Sequence, residues 1–93
     1  MLVKETFGGI EMRMYALLRE PVDNIRKVMI YDSENGVYAF LYDTQENKSG
    51  IADFWFETLD DAMAYCNQEL KVIEEQWIVI NDPKEGEQHD IIY

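Results

Sequence analysis

His89 stands between Gln88 and Asp90, an order that invites a general-base reading in which the aspartate orients the imidazole. Such a base needs a nucleophile within hydrogen-bond reach. Ser33, Ser49, a threonine or Cys66 would have to supply it, and the sequence places none of them near His89, so a surface or structural role outweighs catalysis. His89 and Asp90 stay in view as the lining of a shallow ligand cleft shared with tyrosines. Cys66 falls within an apolar helical stripe, where a free thiol behaves as a small hydrophobe.

The carboxylates offer less than their number suggests. Asp32-Ser33-Glu34-Asn35-Gly36 superficially resembles a calcium loop, but the glycine arrives one residue early for an EF-hand. Asp60-Asp61 and Glu74-Glu75 are neighbours in sequence, and neighbours do not share a helix face, so neither pair is a metal clamp or an acid/base dyad. No metal and no cofactor are expected.

The strongest grouping is aromatic. Tyr15, Met29, Tyr31, Tyr38, Phe40, Tyr42 and Trp55 fall on one face of the strands that carry them, and they form the candidate interaction face. Aromatic sheets bind single-stranded nucleic acid by stacking, yet those sheets also carry bases for the phosphates. Only Arg13, Arg19, Arg26 and Lys27 are available here. The competing reading makes the same aromatics the core, with the helix lying on them.

Composition narrows the choice. Nineteen acidic against eight basic residues give a formal charge of −11, which disfavours nucleic acid and anionic membranes and suits a basic protein surface or simple solubility. Ninety-three residues with 47% hydrophobic content are enough for one core, and a single α+β domain over 1–93 is expected. One cysteine excludes an internal disulfide, and no apolar stretch is long enough to span a bilayer, so the expected setting is the cytoplasm.

The elements that must position these residues follow from periodicity. Glu11 to Glu20 alternate as a strand that Pro21 ends, after a short strand at Leu2 to Thr6 and a turn or bulge at Gly8-Gly9. Asn35-Gly36 predicts a type I′ hairpin, which would pair Tyr31 with Phe40, Met29 with Tyr42 and Ser33 with Tyr38. Asp43 to Gly50 reads as a loop and Ile51 to Glu57 as a strand. Thr58 with Asp61 is a capping pattern, opening a helix whose stripe is Leu59, Ala62, Met63, Cys66, Leu70 and Ile73. Gln76 to Asn81 returns as a strand before the Asp82-Pro83 turn, and Ile91 to Tyr93 could add a last short strand. The expected fold is an antiparallel sheet of about five strands with one helix on one face, in the order (β)ββββαβ.

Phe56-Glu57-Thr58-Leu59-Asp60-Asp61-Ala62, Tyr65-Cys66, Trp77 to Pro83 and Gln88-His89-Asp90 together resemble a group of small bacterial proteins, over about a third of the chain. Glu87 stands where that group has a cysteine, and the resemblance implies no activity. The ββββα order is also similar to the repeat of the PUR nucleic-acid-binding proteins, whose function the charge of −11 argues against inheriting. The expectation is therefore a non-enzymatic protein-interaction module of an accessory, regulatory or immunity type. Its partner is another protein or a second copy of itself, because one helix about 10 Å wide cannot shield five strands spanning some 20 Å.

Overall fold

The computed structural model describes residues 12–80 and 86–92. The strand expected at Leu2 to Thr6, the Gly8-Gly9 turn and the Asp82-Pro83 turn lie outside these residues. Five antiparallel strands form one sheet: β1 (Met12–Val22), β2 (Ile25–Ser33), β3 (Gly36–Tyr42), β4 (Ala52–Phe56) and β5 (Ile78–Ile80). Their spatial order is β4-β3-β2-β1-β5, with α1 (Leu59–Leu70) between β4 and β5 in sequence. The first four strands are a meander, and the chain then crosses from one sheet edge to the other by way of the helix. The fold is α+β.

Alternation decides what each face carries. Met14, Ala16, Leu18, Val28, Ile30, Val37, Ala39 and Leu41 point to one side, where Ala62, Cys66 and Leu70 of α1 and Val72 beyond it complete an aliphatic core. Alanines at 16, 39 and 62, all fully buried, leave room for the helix to approach closely. Thr58 caps α1 by accepting from the backbone N–H of Asp61 at 3.1 Å, and Asp60 and Asp61 sit in the first turn at the positive helix end. Phe54 and Phe56 lean on the ring of Tyr65, closing the β4 side of this layer.

Two sequence readings are corrected by the turns. β1 does not stop at Pro21 but runs to Val22. Its pairing with β2 is irregular between Leu17 and Val22, and a proline is tolerated where the ladder does not need its missing N–H. The two-residue loop with positive φ at both central positions is Asp23-Asn24, at 49° and 71°, the pattern of a type I′ turn. Asn35-Gly36 is not that turn. The β2–β3 loop centres on Glu34-Asn35, Ser33 faces Gly36, and Gly36 alone takes a positive φ, of 121°. The observed partners are therefore Tyr31 with Tyr38 and Met29 with Phe40. That is a shift of two residues from the expected register, and a shift of two leaves every side chain on its expected face.

The reason lies in local hydrogen bonds. The Ser33 hydroxyl donates to the Gly36 carbonyl at 2.8 Å and accepts from the Asn35 N–H at 3.2 Å. The Trp55 indole donates to the Asn35 carbonyl at 3.1 Å and lies over Gly36, where any Cβ would overlap the ring. Gly36→Ala is accordingly expected to cost about 1–3 kcal/mol in urea unfolding, from the strained φ together with the displaced indole. Part of that cost should return in the Gly36→Ala, Trp55→Ala double variant.

Candidate functional site

The second sheet face carries the aromatic set, and the cross-strand pairing arranges it in rows. One row runs Ile80, Arg13, Tyr31, Tyr38, Trp55 and the next Ile78, Tyr15, Met29, Phe40, Asp53. A third holds Leu17, Lys27 and Tyr42. Tyr31 stacks on Tyr38 with centroids 6.3 Å apart, and Tyr38 on Phe40 at 6.1 Å. α1 does not touch this face.

The centre of the face is closed by the chain itself. One terminal nitrogen of Arg13 donates to the carbonyls of His89 at 2.7 Å and Ile91 at 2.9 Å. The Tyr42 hydroxyl donates to the carbonyl between them, that of Asp90, at 2.6 Å. The Asp90 carboxylate accepts from the Gly50 N–H at 2.8 Å and from the Gln88 amide at 3.3 Å, and the His89 ring rests 4.8 Å from that of Tyr31. Three successive carbonyls of the 86–92 segment are thus held by two side-chain donors standing on the sheet. Met29, Tyr31 and Tyr42 are buried beneath this clasp, Tyr15, Tyr38 and Phe40 are half-buried, and Trp55 is exposed.

Two cations support the arrangement. Arg13 and Lys27 are both buried. The Lys27 ammonium donates to the Glu46 carbonyl at 2.7 Å and lies 4.4 Å from the centroid of the Tyr42 ring, which fixes the 43–50 loop beside the clasp. Burial lowers the Lys27 pKa from its ordinary value. It raises that of Tyr42, with the Asp90 charge adding to the effect and Arg13 opposing it. Of the four bases credited to this face, only Arg19 and Arg26 are left exposed to solvent.

His89 and Asp90 are brought together with Tyr31 and Tyr42, but as parts of the clasp. Ser49 is near them, within 3.5 Å of the Gln88 amide, while Cys66 is on the opposite side of the sheet in the aliphatic core. Burial pushes the Cys66 thiol up to about 12, the reverse of what a nucleophile needs. Among the described residues no group of three or more His, Cys, Asp and Glu could hold a metal ion. Among the described residues no helix is long and apolar enough to cross a membrane.

Sequence reasoning missed Arg13 and Lys27 as buried anchors. A signal was available for Lys27, which interrupts the alternating run of Ile25, Met29 and Tyr31, since a cation in such a position needs an internal acceptor. Beside the clasp, Phe40, Gly50, Ile51, Ala52, Asp53 and Asp90 line an open depression of about 200 Å³. Comparison with protein-family models, curated proteins and solved structures found no match.

Arg13→Met is expected to cost about 2–4 kcal/mol, because it strands two carbonyls that a charged donor now holds. Hydrogen exchange at residues 89–91 should rise more than at α1. Cys66 provides the pH test. Its folded pKa lies above the ordinary thiol value, so the unfolded chain releases the proton first. Stability is fully present below about pH 9 and falls as pH rises towards 12. Cys66→Ala should flatten that part of the urea-midpoint profile.

Proposed function

We propose that this chain is a non-enzymatic protein-interaction module, of an accessory, regulatory or immunity type, acting in the cytoplasm. The observation that carries the reading is the flank of the aromatic face beyond the clasp, where Trp55 is 52% exposed and the stacked Tyr38 and Phe40 are half-buried in two adjacent rows. A rim of this kind, aromatic at its centre and bordered by Asp53, matches the composition of protein-binding patches. The bound partner is another protein, with a second copy of the chain as the competing occupant. Nucleic acid is a poor fit, since Arg13 and Lys27 are committed to main-chain carbonyls and a net charge of −11 repels phosphate.

A small-ligand cleft at His89 and Asp90 is the second reading. The depression beside Asp90, at about 200 Å³, is smaller than the roughly 300–1,000 Å³ of ordinary ligand pockets. Both residues also serve the clasp.

The test is affinity capture with the wild-type chain against Tyr38→Glu and Phe40→Glu, each checked by thermal melting. A partner held by the wild type and lost from both variants, with melting points within a few degrees, is the expected result. If both variants keep every partner, or if a metabolite screen finds a ligand whose binding depends on His89, the proposal fails.

A further inference from the structure

We propose that the outer edge of β4 takes up an extended, basic segment of a partner protein as a sixth strand; the inference rests on the interaction-module reading and names its site and partner chemistry. Among the described residues β4 is hydrogen-bonded on one side only, to β3, and it ends the sheet. Large apolar side chains crowd this edge in water: Ile51 is 56% exposed, Phe54 45% and Trp55 52%. Natural edge strands are ordinarily blunted by lysine, proline, a bulge or a cover, whereas Ala52-Asp53-Phe54-Trp55-Phe56 contains no lysine or proline and pairs with β3 in unbroken register. The other edge strand, β5, has only three residues and offers a shorter ladder.

The two sides of β4 differ in chemistry, and the difference specifies the guest. On the aromatic side stand Asp53 and Trp55; Asp53 and Asp90 also line the adjoining depression. On the helix side stand Ala52, Phe54 and Phe56, against Tyr65. An added strand presents alternate side chains to these two sides. Cationic residues at every second position would meet Asp53 and the Trp55 ring, and apolar residues between them would extend the phenylalanine row. A second copy of this chain suits the edge poorly, because it would bring one −11 chain against another.

The test uses the full chain with two acetylated octapeptides, one of alternating lysine and valine and one of alternating glutamate and valine. Binding is read by titration and by amide hydrogen exchange. The lysine peptide should bind, more weakly as salt is raised, and slow exchange of the β4 amides that point away from β3 at least tenfold, while the glutamate peptide should not bind. Asp53→Lys, at an exposed position, should lower affinity at least tenfold without moving the melting point. Equal binding of both peptides overturns the proposal, as does protection centred on the Tyr15 and Ile78 flank. So does protection, in the free protein, of the β4 amides that point away from β3, whether concentration-dependent, which assigns the edge to a second copy, or concentration-independent, which assigns it to the chain itself. A partner captured through Tyr38 and Phe40 that leaves β4 exchange unchanged overturns this proposal and leaves the interaction-module reading standing.

Discussion

The guanidinium of Arg13, holding the carbonyls of His89 and Ile91 against the sheet, is the contact on which the second face depends. A sheet with apolar side chains on both sides needs two covers, and α1 supplies only one. Arg13 and Tyr42 recruit the other from main chain alone. A buried guanidinium is costly to desolvate, and that cost is offset when its protons reach acceptors of good geometry. Carbonyls are suitable acceptors here because they satisfy the donors without adding charge to an already acidic chain.

Lys27 solves the same problem one row away. Its ammonium is buried with the Glu46 carbonyl and the Tyr42 ring, so a single aromatic residue joins the 43–50 loop to the 86–92 segment. The clasp, the loop and the sheet are thus one hydrogen-bonded unit. Its centre is closed, and what stays in contact with water is the margin towards β4 on one side and towards Leu17 and Ile78 on the other. The partition explains how a face rich in aromatics can serve as core and as surface at once.

Much of the architecture was legible from periodicity. Alternation placed β1 and the aromatic row, Thr58 and Asp61 marked the start of α1, and the polar run from Asp43 to Gly50 marked the loop, because each signal is local and repeated. The clasp was not legible. Its acceptors are backbone carbonyls, which every residue owns, so positions 89–91 carry no trace of the contact and His89-Asp90 drew attention for their side chains instead. Pro21 misled because its effect depends on whether the ladder needs its N–H, which is a property of the partner strand.

The β2–β3 register has a consequence for how the chain reaches its native state. Sliding β3 by two residues exchanges Tyr38 for Phe40 opposite Tyr31 while keeping all aliphatic side chains on the helix side and all aromatic ones on the other. Facing is the same in the two arrangements, but packing is not: the slip would set Leu41 opposite Ile30, where Ala39 makes room for α1, and would carry Tyr42 away from Lys27. Discrimination is shared between the loop, where the Ser33 hydroxyl and the Trp55 indole bond, and the far end of the hairpin, where Tyr42 lies opposite Lys27 and reaches Asp90. A slipped hairpin would thus be faced correctly and packed wrongly, and the docking of α1 on one side and of the clasp on the other would select against it.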